Sequence, residues 1–188
     1  MPRLARLALL CAAALAALAA SGCGNKHDKV TLAETEGIYV TVDDLKYQIQ
    51  ISRILSPAAP DDTAYLRGLA EGEEELADDE VWYGIFMRVE NDTDDPHPTA
   101  EEFVIVDTQG DEFEPIELDP ETSDFAYEPS ELQPGKLLPE LDTPASDNTI
   151  RGGLILFKVP AASLANRPLE LEIKSPSGGE DAVIDIDV

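Results

Sequence analysis

"VWYGIFMRVE", residues 81–90, decides the fold because it reads as a β-strand with two apolar faces. One face carries an unbroken apolar series of Val81, Tyr83, Ile85, Met87 and Val89. The other face starts apolar, with Trp82 and Phe86 on either side of Gly84, and turns charged at Arg88 and Glu90. Alternation with period two is typical of strands, and apolar residues on both faces indicate the middle of a sheet. The segment therefore predicts a central strand that becomes half-exposed towards its end.

Shorter segments of the same kind lie on both sides of this strand. Tyr47, Ile49 and Ile51 alternate with polar residues, and a break in phase at residues 53–55 predicts a β-bulge there. The other predicted strands cover residues 38–42, 102–106, 112–115, 150–159, 169–173 and 182–188. Residues 108–111 form a turn that joins two of them as a hairpin. About eight short strands separated by turns predict an all-β protein, either a sandwich or a barrel.

Signals for helices are few. Asp61 and Asp62 are N-cap candidates in front of residues 64–69, which predicts one short helical insert. Residues 161–165 predict a single helical turn. Residues 71–80 contain seven acids and are predicted to form a solvated loop, whereas residues 119–149 are rich in proline and show little periodicity.

The amino terminus has the layout of a secretory signal peptide. Arg3 and Arg6 precede an apolar run of 14 residues, which is followed by small residues and then Cys23. A helix of this length spans about 21 Å, less than the roughly 30 Å of a bilayer core. The site resembles a bacterial lipobox, in which the cysteine is acylated and becomes the first residue of the mature protein. The alternative is an ordinary secretory cleavage in which Cys23 has no role.

These features predict a signal peptide over residues 1–22, lipidation of Cys23, a flexible tether over residues 23–36 and a folded domain over residues 37–188. Cys11 would leave with the signal peptide, so the mature chain would have one cysteine and no internal disulfide. Two acyl chains on Cys23 would hold the protein stably in a membrane. The expected location is the extracytoplasmic face of the bacterial cell membrane.

The charge of the chain excludes several classes of partner. The net charge is −26, and removal of residues 1–22 takes away two basic residues and no acid, leaving −28. Such a charge repels nucleic acids and anionic lipid surfaces. We therefore expect no nucleic-acid binding, and membrane attachment through the lipid anchor alone.

Residues suited to catalysis or metal binding are scarce. His27 falls in the tether and His97 in a predicted turn, and the nucleophile elbow Gly-x-Ser-x-Gly does not occur. We therefore expect no catalysis, no zinc site and no cofactor. Asp92, Asp94 and Asp95 place several carboxylates on one loop, and Ca²⁺ takes oxygen ligands of this kind. The alternative for this loop is an ordinary polar turn.

An ordered set of short motifs resembles a known family. The motifs are RIL at 53–55, YLRG at 65–68, WYGIFMRVEN at 82–91, Phe103 with DTQG at 107–110, LQPG at 132–135, GGLILFKVP at 152–160 and NRPLEL at 166–171. In this order they resemble uncharacterised actinobacterial lipoproteins. More broadly, they are similar to secreted immunoglobulin-like domains typified by the mycobacterial immunoprotective extracellular antigen. The resemblance implies an immunoglobulin-like antiparallel β-sandwich and implies no catalytic residue.

The expected function is recognition by loops on a rigid scaffold. Trp82 and Tyr83 are assigned to the core, whereas Tyr127 in the proline-rich segment is predicted to be an exposed recognition residue. The main hypothesis is a binding or accessory module that is anchored to the membrane and contacts an envelope protein. The alternative is a module that binds Ca²⁺ or buffers cations through the loop at residues 92–95.

Overall fold

The computed structural model describes residues 29–186, which form two β-sheets packed face to face. The predicted signal peptide, Cys23 and His27 lie outside the described residues, as do Asp187 and Val188. The strands are β1 (Leu32–Ala33), β2 (Val40–Val42), β3 (Leu45–Leu55), β4 (Glu80–Glu90), β5 (His97–Pro98), β6 (Phe103–Val106), β7 (Glu112–Phe113), β8 (Pro115–Ile116), β9 (Glu131–Leu132), β10 (Leu137–Leu138), β11 (Gly153–Pro160), β12 (Leu169–Ile173) and β13 (Ala182–Ile186). Between residues 29 and 186 the helices are α1 (Pro144–Asp147) and a 3₁₀ turn (Ser163–Ala165).

The strands pair in two sheets, which confirms the predicted all-β sandwich. The five-stranded sheet has the order β1-β13-β12-β6-β7, and the six-stranded sheet has the order β2-β3-β4-β11-β8, with β10 on β4. Neighbouring strands are antiparallel except for β1 and β13, which are parallel. Strands β5 and β9 form a separate two-stranded ribbon. Several of these strands have only two residues, too few to show alternation, so the pattern predicted fewer strands.

Strand β4 lies in the middle of the six-stranded sheet, as its two apolar faces predict. It pairs with β3 from Lys46↔Glu90 to Leu55↔Trp82, and β11 covers its other edge. Tyr83, Ile85 and Met87 are fully buried between the two sheets. The residues that the sequence assigned to one face therefore form the centre of the core.

The opposite face of the six-stranded sheet is also covered, by loops instead of a third sheet. Trp82, Phe86 and Leu154 on this face pack against Tyr65 and Phe125 from two separate loops. Gly84 leaves room for this layer, because a Cβ atom there would lie 2.9 Å from the side chain of Leu55 and 3.0 Å from that of Leu154. The second apolar face of β4 is explained by this layer.

The bulge in β3 lies earlier than predicted. The register with β4 shifts between Ile49 and Ile51, so the extra residue is Gln50 and the prediction at residues 53–55 is wrong. Ile49 remains buried in the core, and the shift turns Ile51 outward, where it is 37% exposed. Ser52 then takes the buried position in the next part of the strand.

Two further local predictions need correction. Residues 61–68 form consecutive turns instead of the predicted helix, and Leu69 forms an isolated β-bridge with Leu118. Gly68 has φ +85°, and its carbonyl accepts the backbone N–H of Asp119 at 2.8 Å. The predicted tether over residues 23–36 also extends too far into the domain, because within its described part β1 already pairs with β13 at Leu32↔Val183. The loop at residues 71–79 and the helical turn near residues 161–165 follow the predictions.

The chain changes sheet directly after the predicted hairpin. β6 and β7 pair as expected, and β8 then crosses to the edge of β11 in the other sheet. Pro115 suits this edge position because proline has no N–H to donate to a further strand. Over the described residues, no helix is both long enough and apolar enough to cross a membrane.

Candidate functional site

A groove opens at the side of the sandwich where two segments share the edge of β11. Ile116 in β8 pairs with Leu156, while Ala126 bridges to Leu154 two residues earlier in β11. The gap between these segments has a volume of about 350 Å³. We call it the β11 groove, and it is lined by Glu101, Phe103, Pro115, Ile116, Glu117, Leu118, Pro120, Ala126, Tyr127, Glu128, Pro129, Leu154 and Ile155.

Tyr127 is part of this groove but is not the exposed residue that the sequence predicted. Its ring is half-buried and packs edge-on against Phe103, with the ring centres 5.1 Å apart. Its hydroxyl donates a hydrogen bond to the carbonyl oxygen of Ala100 at 3.0 Å. Burial raises the pKa of this hydroxyl well above its ordinary value, so it stays protonated. Tyr127 is therefore a fixed part of the groove wall, and its recognition role stays a prediction.

A second tyrosine, Tyr47, hydrogen-bonds the same backbone residue, Ala100. Tyr47, which is fully buried in β3, accepts the N–H of Ala100 on its hydroxyl oxygen at 2.7 Å. The two tyrosines thus bind the N–H and the carbonyl of one residue. Next to it, Thr99 accepts the N–H of Ser130 at 2.9 Å. These bonds hold the segment that leads into β6 and make one wall of the groove rigid.

The rim of the β11 groove is acidic and its floor is apolar. Glu101, Glu117 and Glu128 are all exposed, and no lysine, arginine or histidine belongs to the lining. The lining in between consists of proline, aliphatic and aromatic side chains. An apolar concavity with a few charged groups is the usual character of a binding site in a protein. Here the charged groups are all of one sign, so the site favours a cation with an apolar body.

The aspartates predicted to bind Ca²⁺ lie on a loop that is organised by other contacts. Asn91 is buried and donates hydrogen bonds to the carbonyls of Asp95 and Leu132, at 2.8 and 2.7 Å. Asp92 accepts a hydrogen bond from Lys46 at 2.5 Å. No group of three or more metal-ligating side chains occurs in the part of the chain from residue 29 to residue 186. The Ca²⁺ site at Asp92, Asp94 and Asp95 thus stays a prediction without geometric support.

The structure also places His97, Trp82, Tyr83 and the acidic loop of residues 71–79. His97 is half-buried in β5, where it pairs with Leu132 and lies outside the β11 groove lining. Trp82 and Tyr83 are buried, as predicted. In the acidic loop, Glu73 pairs with Lys158 at 2.7 Å, so part of this loop is tied to the sheet. Lys158 also lies 5.2 Å from the centre of the Trp82 ring.

Sequence reasoning missed the three glutamates of the groove. Glu117 and Glu128 come together because their segments pair with β11, whereas Glu101 arrives from the segment that leads into β6 of the other sheet. Their one local signal is a proline within three residues of each of them. In a chain with 39 acids, that signal does not distinguish these glutamates from the rest.

Comparison with known proteins gives a fold and no family. No protein-family model and no curated protein matches the chain. The yjhA protein of Bacillus subtilis aligns with a TM-score of 0.54 at 13% identity, over 82% of this chain and 99% of that one. At this identity the similarity shows the fold alone.

Two further structures align less well. A "putative lipoprotein" of Bacillus subtilis, ycdA, gives a TM-score of 0.48 at 15% identity, over 79% of this chain and 38% of that one. An uncharacterized β-sandwich protein from Clostridium difficile gives 0.41 at 10% identity, over 87% and 99%. The chain thus corresponds to well under half of the ycdA structure. The resemblance to actinobacterial lipoproteins stays a prediction.

Proposed function

We propose that this protein is a lipid-anchored binding module on the extracytoplasmic face of a bacterial cell membrane, and that its β11 groove holds a cationic segment of an envelope protein. The observation that carries the proposal is the combination of an apolar floor with three exposed glutamates and no lining cation. The anchor is the acyl-modified Cys23 predicted from the sequence. Catalysis is not part of the proposal.

The proposed occupant follows from the shape and charge of the groove. Lysine and arginine bury an aliphatic stem on apolar surface while the charged end stays in water. Pro115, Ile116 and Tyr127 are partly exposed and supply the apolar surface, and the exposed glutamates lie beside it, where the charged end would emerge. A volume of about 350 Å³ accommodates a few side chains and not a folded domain. A short extended segment of the partner therefore fits best.

The long-range charge of the domain would assist this encounter. A net charge of −28 on the mature chain attracts cationic segments before any contact forms. It does so without specificity, because the acids are spread over the whole surface. Specificity must come from the groove, where apolar contact and charge occur together. The test must therefore separate the groove from the general charge.

The experiment measures binding of a labelled peptide of alternating lysine and leucine to the lipidated protein in detergent micelles, by fluorescence anisotropy. Replacing Glu117 or Glu128 with glutamine should weaken binding about two- to fivefold each, the range for an exposed ion pair. The matched control is Glu75→Gln, which removes the same charge from the exposed acidic loop outside the groove. This variant should bind like the unchanged protein.

Two results would contradict the proposal. If all three variants lose the same small amount of affinity, binding follows the net charge and the groove has no role. If a peptide of lysine and serine binds as tightly as the lysine–leucine peptide, the apolar floor contributes nothing. Crosslinking in cells followed by co-purification would then have to identify the partner without a structural guide.

A further inference from the structure

A second surface lies at the end of the sandwich where the chain enters the domain. Lys29 pairs with Asp44 at 3.0 Å, and Val30 accepts the N–H of Thr41 at 2.7 Å. These contacts place the first described residues beside the turn between β2 and β3. Strand β3 begins at this turn, and the antiparallel strand β4 ends beside it at Glu90. Strand β11 begins at the same end, at Gly153 opposite Met87. The ends of these strands define what we call the entry end.

Residues 136–142, here called the Leu141 loop, belong to the entry end. Leu137 pairs with Glu90, the last residue of β4, and Glu90 also pairs with Lys46 near the start of β3. The loop presents Leu141, which at 69% is the most exposed of the large hydrophobic residues between positions 29 and 186. Nothing in the sandwich requires a leucine at such an exposed position.

Cationic side chains surround this leucine in an otherwise acidic protein. A cavity of about 70 Å³ is lined by Arg88, Arg151 and Leu141 together with Leu137, Pro139, Ser146 and Gly152. Arg88 pairs with Glu90 at 2.7 Å, whereas Arg151 is exposed and has no ion pair with any residue of the described chain. A second cavity shares Leu137 and Leu141 with this one, and a third cation, Lys136, belongs to its lining.

Carboxylates complete the surface on the other side of the leucine. Glu140 and Asp142 flank Leu141 and line the adjoining cavity of about 310 Å³. The surface therefore offers cations and anions side by side, next to an exposed apolar residue. A ligand that matches it carries an anionic group, a cationic group and an apolar part close together. A zwitterionic phospholipid has this combination, with a phosphate, an amine and the start of the acyl chains.

The distance to the anchor favours the same ligand. Cys23 and Lys29 are six residues apart, and six fully extended residues span at most about 22 Å. If Cys23 carries the lipid, the entry end is held within this distance of the bilayer. The acidic loop leads into β4 at its other end, and the 11 residues of β4 cover about 36 Å. With the entry end held near the bilayer in this way, the strand directions would place the Leu141 loop on the membrane side and the acidic loop on the side away from it.

We infer that the Leu141 loop binds zwitterionic phospholipid in the leaflet that holds the anchor, with the phosphate at Arg88 and Arg151, the amine at Glu140 or Asp142, and Leu141 at the level of the acyl chains. The inference rests on the proposed lipid anchor at Cys23. Arginine suits this role because its planar guanidinium donates paired hydrogen bonds to phosphate. A bilayer without net charge does not repel a domain with a charge of −28, whereas an anionic bilayer does.

The test places a fluorescent reporter at the tip of the loop in the lipidated protein. Because acylation blocks Cys23, Leu141→Cys would be the one free thiol of the mature chain, and it can be labelled with an environment-sensitive dye. The protein is reconstituted into phosphatidylcholine vesicles that contain brominated lipid. The matched control is Glu75→Cys in the acidic loop, labelled in the same way. We expect blue-shifted and quenched emission at position 141 and unchanged emission at position 75.

A second substitution tests the headgroup contact. Arg151→Gln in the Leu141→Cys protein should lower the ratio of membrane-bound to free loop about two- to fivefold, the range for an exposed ion pair, and the quenching should fall with it. Quenching should also fall when phosphatidylglycerol replaces phosphatidylcholine. Quenching that is unaffected by Arg151→Gln, or stronger with phosphatidylglycerol, would overturn the headgroup assignment.

Flotation of the vesicles separates the two proposals. If the protein floats with the vesicles but positions 141 and 75 report the same environment, the anchor stands and the inference about the loop is wrong. If the protein does not float, the anchor is wrong, and the inference that rests on it is overturned as well.

Discussion

Replacing Asn91 with alanine tests whether one buried amide holds the loops at the entry end together. Asn91 is 2% exposed and follows β4 directly. Its side chain donates to the carbonyls of Asp95 and Leu132 and accepts hydrogen bonds from the N–H and the hydroxyl of Thr93, at 3.0 and 2.7 Å. Its backbone N–H bonds the carbonyl of Lys136 at 3.0 Å. One residue thus connects the loop after β4 to the segment that leads into the Leu141 loop.

The size of the effect follows from what the substitution leaves unpaired. The bond to the Leu132 carbonyl is buried, and an unsatisfied buried acceptor costs about 1–3 kcal/mol. The Asp95 carbonyl keeps the hydrogen bond that the Thr93 hydroxyl donates to it at 3.0 Å, so losing the bond from Asn91 costs less there. With about 1 kcal/mol for the remaining bonds, the free energy of unfolding should fall by about 2–4 kcal/mol. For a domain of this length the melting temperature should fall by about 5–15 °C.

Thermal and denaturant unfolding measure this loss, and two further variants test its cause. Thr93→Val removes one hydroxyl of the same cluster and should cost about 1 kcal/mol. Asn91→Asp keeps the shape but directs a carboxylate at two carbonyl oxygens, so it should be as harmful as alanine at neutral pH. Its stability should recover towards that of the unchanged protein as the pH falls and the carboxyl becomes protonated and able to donate. If Asn91→Ala lowers the free energy of unfolding by less than about 0.5 kcal/mol, which is the level of an ordinary surface substitution, the reasoning is refuted.

Four further predictions concern separate parts of the molecule. Gly84→Ala should lower the free energy of unfolding by about 1–3 kcal/mol, because its Cβ would lie within 3.0 Å of two buried leucines; urea unfolding would show this. Burial opposes ionisation of Asp43, but hydrogen bonds from Ser175 and Ser177 outweigh it and hold its pKa below the ordinary 3.8. Ser177→Ala should therefore destabilise at pH 7, and the difference from the unchanged protein should shrink as the pH falls below 3.8; unfolding at several pH values tests this. Calorimetric titration with Ca²⁺ should give no saturable heat, and saturable binding that is lost on changing the aspartates of residues 92–95 would restore the Ca²⁺ hypothesis. Cys23→Ala should release the protein from membranes into the soluble fraction. A variant that stays in the membrane fraction would refute the anchor.

The sequence predicted the sheets better than it predicted the details, for physical reasons that differ between segments. β4 could be predicted because its ten-residue pattern shows both apolar faces directly. The helix predicted at residues 64–69 is absent because Tyr65 is used in the loop layer, where its ring packs 5.0 Å from that of Phe86 and 4.7 Å from that of Phe125. Such packing is a tertiary effect that local capping signals do not contain.

The bulge and the groove show two other limits. The bulge at Gln50 inserts a polar residue between two isoleucines without interrupting the alternation, so the phase change becomes visible only downstream, where the sequence placed it. The groove depends on Glu117 and Glu128 meeting at one strand edge, which is a property of the pairing of β11 and not of either segment. Its location therefore requires the structure.

The arrangement of layers explains why recognition should occur at the side of the sandwich. One face of the six-stranded sheet is buried against the other sheet, and its opposite face is covered by the loop layer around Tyr65 and Phe125. The outer face of the five-stranded sheet carries the polar side chains of Glu170, Glu172 and Asp185. The apolar interior thus comes close to solvent where β8 and the Ala126 segment leave a gap along β11. A partner gains most from contact where apolar surface is still available. The β11 groove provides such a surface, and its glutamates determine the charge that the partner must bring.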